Sequence, residues 1–310
     1  MTAELPPSPP VLTAGDGLLL RAWTAADADP LHAAWADPAI RRWTSLPAEF
    51  SGPDAAEFVA RTGRNWQQGV AASFVLEEAG AFAGTANLGL LGAGWAEVGY
   101  LVVPASRGRG LARRAVARLL AWGFDDLGLH GVRWTCAAGN WASRRVAWAC
   151  GFRFEGTGRG LGEQHGRRPD AWTGSLLRAE GREPAADWLD VPVLDGDGVR
   201  LRPWRDADAA RVVAACSDPR TQRWLPDVPS PYGPAEAAGF FSSTREAAAA
   251  GEAVHWCVAD PADDRCLASM SAMLAGRGAL TAELGWWAHP DARGRGVVTR
   301  AARLAAAHAL

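Results

Sequence analysis

The segment Glu97-Val-Gly-Tyr-Leu-Val-Val-Pro-Ala-Ser-Arg107-Gly-Arg-Gly110-Leu-Ala112-Arg113 reads as a hydrophobic strand, a glycine turn and the first turn of a helix. Pro104 closes the strand, and the run from Leu111 to Phe124 then sets Leu111, Val116, Leu119 and Leu120 at helical spacing. A junction of this kind leaves main-chain N–H groups at the helix start without intrahelical acceptors. The helix dipole adds to their field, so a diphosphate can be held there without a metal. Gly108 and Gly110 let the backbone come close to the phosphates, and Arg107, Arg109 and Arg113 add compensating charge. Two familiar phosphate loops are excluded. The Walker loop needs Gly-Lys-Ser/Thr in a chain that has no Lys, and the dinucleotide fingerprint needs a third Gly where Arg113 stands.

Outward from this segment the sequence repeats itself. Gly17 to Ala28 recurs as Gly198 to Ala209, keeping the Arg, Trp and Asp-Ala positions, and Asp37-Pro38, Arg42-Trp43 and Pro53 match Asp218-Pro219, Arg223-Trp224 and Pro234, all 181 residues on. Ala96-Glu97, Gly99 and Arg107-Gly-Arg-Gly110 match Ala282-Glu283, Gly285 and Arg293-Gly-Arg-Gly296 at an offset of 186. A longer loop at Asp260 to Asp264 absorbs the difference. The expected organisation is a complete module over residues 1–180, a polar, Pro-containing linker over 181–197, and a second module over 198–310 that lacks the C-terminal strands and helix.

Periodicity and punctuation give the first module an α/β order. A strand at Leu18 to Trp23 precedes helices at Ala25 to Ala36, N-capped by Thr24, and Pro53 to Gln68. Three strands follow, at Ala72 to Glu77, Ala81 to Leu91 and Trp95 to Val103. After the glycine turn and its helix come a strand at Val132 to Cys136, a helix at Trp141 to Ala149 and strands at Phe152 to Glu155 and Trp172 to Leu177.

The 310 residues are 48% hydrophobic and 21% charged, with 32 basic against 34 acidic side chains, a formal net charge of −2. That balance offers neither nucleic acid nor an anionic membrane a basic partner surface. All the basic residues are Arg, which reads as the codon bias of a GC-rich genome rather than a binding signal. Cys136, Cys150, Cys216, Cys257 and Cys266 form no C-x-x-C pair and have no His at zinc-ligand spacing, so reduced thiols are expected and no metal. His32, His130 and His165 are equally unsupported as ligands. Met1 to Pro10 lacks the basic start and apolar run of a signal peptide, and no stretch approaches the ~20 apolar residues of a membrane span. A cytoplasmic location is expected.

Arg107-x-x-Gly110-x-Ala112 after a hydrophobic strand resembles the acetyl-CoA pyrophosphate loop of the GNAT superfamily of N-acyltransferases, Gln/Arg-x-x-Gly-x-Gly/Ala. Downstream, Cys136-Ala-Ala-Gly-Asn140-Trp-Ala-Ser143 continuing to Gly151-Phe152-Arg-Phe-Glu155-Gly156 resembles the ribosomal-protein N-acetyltransferase (RimJ/RimL-like) branch. The opening Leu20-Arg21-x-Trp23 with Asp27-Ala28, and the closing Asp170-x-Trp172-x-x-Ser175-Leu-Leu, are similar to the same branch. The resemblance covers about residues 15–180 fully and 198–310 in part. It implies two tandem modules, each a mixed, mostly antiparallel sheet flanked by helices.

The resemblance also implies roles. Leu101, Val102 and Val103 offer main-chain groups to the pantetheine arm. Arg107, Gly108, Arg109, Gly110, Leu111, Ala112 and Arg113 hold the pyrophosphate, and Asn140 contacts the cofactor arm. A bulge in the strand before the loop splays it and turns an N–H toward the thioester oxygen. Glu97 stands where several family members place the general base, acting through a water. The Tyr acid that many members carry falls on Ala147 here, so Ser143, with Cys136 nearby, is left to supply a proton. The residues alone leave alternatives open: Glu97 as a solvated or ion-paired strand residue, Ser143 as a satisfier of helix backbone, Asn140 as an N-cap, and Trp43 and Trp66 as core or as lining of the acceptor site.

The expected activity is acetyl transfer from acetyl-CoA, as co-substrate, to a primary amine of a protein N-terminus or a small molecule, in a ternary complex without metal or covalent enzyme intermediate. The rival is a non-catalytic acyl-CoA-binding or scaffold module. The loops Ser45 to Ser51 and Gly156 to Pro169, which set the acceptor, carry no decodable pattern. The second module keeps Glu283 and Arg293 to Gly296 but lacks one wall of the cleft, and is not expected to act as an independent catalyst.

Overall fold

A computed structural model describes residues 4–45, 49–274 and 281–309. Residues 46–48 of the first expected acceptor loop, and the first three of the N-terminal segment, lie outside the described residues. The chain divides between Ala185 and Ala186 into two compact units.

In the first unit the order is β1 (Leu12–Thr13), β2 (Leu18–Arg21), α1 (Ala28–Ala34), α2 (Pro38–Trp43), α3 (Gly52–Gln67), β3 (Ala71–Glu78), β4 (Ala81–Gly92), β5 (Trp95–Val102), α4 (Leu111–Asp125), β6 (Gly131–Ala137), α5 (Trp141–Ala149), β7 (Arg153–Gly158) and β8 (Ala171–Leu177). Two elements go beyond the sequence reading: the two-residue β1, paired with β2, and α2. The single helix expected over 25–36 is a 3-10 turn, Ala25–Asp27, followed by α1, which stops at Ala34. Asp37 then starts α2 by accepting a hydrogen bond from Ile40 N, with Pro38 in the first turn, where its missing N–H costs nothing. The last hairpin begins one residue later than expected, because the Phe152 N–H donates to Ala147 O at the end of α5 and pairing with β8 starts at Arg153.

These strands form one eight-stranded sheet, β1-β2-β3-β4-β5-β6-β8-β7. Only β5 and β6 run parallel, in register from Trp95↔Gly131 to Val98↔Trp134, joined by the α4 crossover. Helix α4 buries Leu111, Ala115, Val116, Leu119 and Leu120 in the main core with Phe74, Leu88, Val98 and Trp134, against which Tyr100 also packs. A second cluster, Leu31, Trp35, Ile40 and Ala55 from the first three helices, is joined by Phe82, Leu101 and Val103. Alternation along β5 thus sends Val98 and Tyr100 to one face and Glu97 and Leu101 to the other. At Gly84 (φ +153) a Cβ would sit 2.2 Å from the Leu101 carbonyl oxygen, so only glycine lets β4 approach β5 there.

In the second unit, β9 (Leu194–Gly196), β10 (Val199–Arg202), α6 (Ala209–Cys216), α7 (Pro219–Trp224), α8 (Pro234–Ala249), β11 (Ala253–Ala259), β12 (Cys266–Leu274), β13 (Ala282–Ala288) and α9 (Val297–Ala309) follow the order of the first as far as its α4. Its sheet, β13-β12-β11-β10-β9, is antiparallel throughout, and among the described residues nothing pairs on the edge of β13 that corresponds to the β6 side of β5. The stretch expected as a linker is built into this unit from Ala186 onward. There β9 pairs with β10, Leu189 N–H donates to Ala248 O, and Trp256 Nε1–H donates to Pro192 O.

The two units share an arginine device, half-buried in the first and buried in the second. Arg21 bonds both oxygens of Asp27 at 2.9 and 2.8 Å and also reaches Glu77. Arg202 bonds both oxygens of Asp208 at 2.8 and 2.9 Å. Its second carboxylate is Asp264, at 2.8 Å, from the longer loop that the change of offset required. The inserted residues therefore replace the strand carboxylate that Glu77 provides in the first unit.

Candidate acyl-transfer site

Helix α4 begins at Gly110, which is left-handed (φ 74, ψ 8) and caps the helix without a side chain. Gly108 is also left-handed, at φ 74, a conformation that costs glycine nothing. Arg107 N–H donates to Pro104 O at 3.3 Å, and the first intrahelical bond is Arg114 N–H to Gly110 O at 3.1 Å. Among the described residues, the six N–H groups from Gly108 to Arg113 have no acceptor. They form an anion-binding nest on a helix dipole. The loop at Arg293 repeats this shape, with Gly294 and Gly296 at φ 73 and 68.

The three arginines of the loop are not equivalent. Arg107 is ion-paired with Asp37 at 2.7 Å and donates from Nε to Val102 O at 3.2 Å. Arg109 is ion-paired with Glu78 at 2.7 Å. Arg113 is exposed and has no ion-pair partner among the described residues. The hydrogen bond from Arg107 holds the Asp37 carboxyl below the usual carboxylate range, outweighing its partial desolvation.

Beyond Val98↔Trp134 the strands β5 and β6 part: Gly99 to Val102 stay with β4, and Thr135 to Ala137 stay with β8. The expected bulge is not the cause. β5 keeps an unbroken register with β4 from Ala96 to Val102, and the irregularity lies at Leu90/Gly92. The Val103 N–H donates to Ala83 O at 3.0 Å, and its carbonyl accepts from Ser106 N at 2.9 Å. The Leu101 carbonyl faces Gly84. By strand alternation, the main-chain groups that face the opening are those of Tyr100 and Val102, so Leu101 and Val103 do not offer theirs to it.

Ser143, near the start of α5, spans this opening. Trp134 Nε1–H donates to Ser143 Oγ at 3.0 Å, and Tyr100 Oη lies 2.9 Å from both the Ser143 Oγ and the Ser143 carbonyl oxygen. Asn140 caps the helix, its Oδ1 accepting from Ser143 N at 3.2 Å, which leaves only its NH2 group uncommitted to the cap. Burial holds the Tyr100 phenol well above its ordinary pKa. Cys136 lies close by, its Sγ 3.9 Å from Asn140 O, and burial pushes its thiol up to about 12. Such a thiol is not a nucleophile at neutral pH.

Glu97 is half-buried on the opposite face of β5, in register between Gly89 and Arg133, and its carboxylate has no hydrogen-bond or ion-pair partner among the described residues. Arg133 lies over the Trp95 ring instead, 5.2 Å from its centroid. Trp66 is core, stacked on Trp122. Trp43 is half-buried at the end of α2, 3.8 Å from where a Cβ on Gly139 would stand. His165 and Gln164, from the second acceptor loop, bond the carbonyls of Arg41 and Arg42 at the same end of α2. The sequence reading missed Tyr100, Trp134 and Asp37. Only Asp37 left a signal, as an N-cap before proline repeated at Asp218-Pro219.

A family model described as an acetyltransferase (GNAT) domain matches residues 17–153 and again 199–310. The "Uncharacterized N-acetyltransferase p20" of Bacillus licheniformis is 27% identical over 167 residues, 53% of this chain and 94% of that protein. The structure of Mycobacterium smegmatis RimJ, in complex with CoA-disulfide, is 25% identical with a TM-score of 0.50, over 54% of this chain and 85% of that one. RimL, a ribosomal L7/L12 α-N-protein acetyltransferase solved with coenzyme A, is 18% identical with a TM-score of 0.51, over 54% and 98% respectively.

Proposed function

The chain belongs to the acetyltransferase (GNAT) family and is an N-acetyltransferase using acetyl-CoA, and on that premise we propose that its first unit transfers the acetyl group to the amine of a protein N-terminus. The observation that carries this reading is the row of six unpartnered N–H groups from Gly108 to Arg113 beside the parting of β5 and β6. Acetyl-CoA supplies an acyl group activated as a thioester. Gly108, Arg109, Gly110, Leu111 and Ala112 would hold its diphosphate through main-chain N–H groups, with Arg113 adding charge. Tyr100 and Val102 would present their main chain to the pantetheine arm, and Asn140 its free NH2 group.

Glu97 would accept the proton that the ammonium must lose before it can attack, through a water, since nothing among the described residues engages its carboxylate. Ser143 would serve the leaving sulfur. The Cys136 thiol, pushed up by desolvation, supports direct transfer over an acetyl-cysteine route. A protein acceptor takes its support from the activity named for RimL; the small-amine acceptor is the second arm of the test.

Catalysis is assigned to the first unit, residues 1–185, and a non-catalytic role to the second, residues 186–310. In the second unit Tyr100 is replaced by Trp286, and Trp287, at the position of Leu101, packs 5.9 Å from the Trp204 ring. Thiol release from acetyl-CoA over a panel of N-terminal peptides, polyamines and aminoglycosides tests the reading, alongside calorimetric binding. Turnover on a peptide that is lost in Glu97→Gln, with binding retained, is the expected result. Binding without turnover on any amine overturns it.

A further inference from the structure

We propose that Tyr100 and Trp134 are positioning residues for Ser143, presetting its hydroxyl as the donor that receives the coenzyme's leaving sulfur in the opening between β5 and β6. The inference rests on the acetyl-transfer reading above and concerns how the leaving group is held.

Hydrogen-bond accounting carries it. The Trp134 indole can only donate, so one lone pair of Ser143 Oγ is always taken, at 3.0 Å. Tyr100 has one proton and two acceptors at the same distance, 2.9 Å: the Ser143 carbonyl and Ser143 Oγ. In one arrangement Tyr100 donates to the carbonyl, and Ser143 donates its own proton to Tyr100 Oη. In the other Tyr100 donates to Ser143 Oγ, which now accepts two hydrogen bonds and must point its proton elsewhere. The two differ by rotation of two O–H bonds, with no heavy atom displaced.

Two directions are left for that proton, the opening and the neighbouring Cys136 sulfur, which also hydrogen-bonds the Ser143 side chain; a thiol is the weak acceptor of the two once a thiolate occupies the opening. Tyr100 stands on the β5 arm just past the last pair with β6, Trp134 is the β6 member of that pair, and Ser143 lies across both. A hydroxyl that accepts two hydrogen bonds is a stronger donor, because its neighbours polarise it. The high pKa of the Tyr100 phenol keeps it protonated, so it donates a hydrogen bond without losing its proton. When the C–S bond breaks, the electron pair goes to sulfur. Ser143 holds the thiolate by its O–H without giving the proton up, and the thiolate takes a proton from water on release. No base or alkoxide is left behind in the trio.

The test uses the full chain and the variants Tyr100→Phe, Ser143→Ala and their double. The proposal expects Tyr100→Phe to lower kcat about tenfold, the rate equivalent of one lost hydrogen bond, with KM for acetyl-CoA unchanged. The double variant should be no slower than Ser143→Ala. Trp134→Phe, which keeps the buried ring, should behave as Tyr100→Phe does. A second readout needs no turnover: the ultraviolet thiolate absorbance of bound CoA at a fixed, mildly alkaline pH should report an acid constant about tenfold higher in the wild type than in Tyr100→Phe or Ser143→Ala. Deficits that multiply in the double variant, a Tyr100→Phe enzyme at full kcat, or a thiolate fraction that none of the variants alters would overturn the proposal. A wild-type thiolate shift in a chain that acetylates no amine would instead sink the acetyl-transfer reading and leave the positioning intact.

Discussion

Arg107 Nη2 lies 2.7 Å from Asp37 Oδ1, so the first arginine of the glycine loop is spent on the N-cap of α2. The pairing recurs as Arg293 with Asp218 at 2.6 Å, again on a helix N-cap. It ties the Gly108–Gly110 loop to the helix whose other end meets the loop carrying Gln164 and His165.

Charge at the diphosphate should therefore come mainly from Arg113. Arg113→Ala is expected to weaken acetyl-CoA binding about tenfold, and Arg107→Ala or Arg109→Ala by less than about threefold, in calorimetric titrations. Equal losses at all three would show that the ion pairs open on binding.

The Asp37 pair also sets a pH dependence. Its carboxyl titrates below the unfolded value because Arg107 hydrogen-bonds it, so its contribution is complete above the ordinary carboxylate range and is lost as the pH falls through the lowered value. Arg107 is 40% exposed, which keeps that contribution below about 1 kcal/mol. Asp37→Asn should be slightly less stable than wild type at neutral pH, with the difference vanishing in acid, as followed by denaturant midpoints. A gap that widens in acid would assign Asp37 the wrong sign.

Gly110 occupies a left-handed conformation with open space where a Cβ would point. Gly110→Ala should cost about 1 kcal/mol in unfolding free energy and weaken binding of acetyl-CoA as well, since the strain falls on the nest itself. A variant as stable and as tight-binding as the wild type would mean that the conformation is not required.

In the second unit Arg202 is buried with Asp208, whereas its other partner Asp264 is 37% exposed. Replacing Arg202 by Met strands a buried carboxylate and should cost about 3–5 kcal/mol, while Asp264→Ala should cost under about 1 kcal/mol. Denaturant unfolding separates the two, and comparable losses would contradict the division.

Much of this arrangement is readable from the chain alone, because local signals decide it. The duplicated Arg, Trp and Asp-Ala positions, the proline that stops β5 and the helical spacing after Gly110 need no distant partner. Helix α2 was legible in principle from Asp37-Pro38, yet six residues give too little periodicity to declare themselves. The roles of Arg107, Tyr100 and Val103 were not legible, because each is set by a group far away in sequence: Asp37, Ser143 and Ala83. The strand at 194–196 within the expected linker is set locally instead, by a hairpin to β10 across the left-handed pair Asp197-Gly198, a turn signal that three strand residues are too few to support on their own.

Backbone amide resonances of Gly108 to Arg113 followed during titration with CoA, and separately with pantetheine, which lacks the diphosphate, test the central claim most directly. The account predicts large shifts confined to these six amides and their neighbours with CoA, and none there with pantetheine. CoA binding that leaves the six amides unmoved would contradict it.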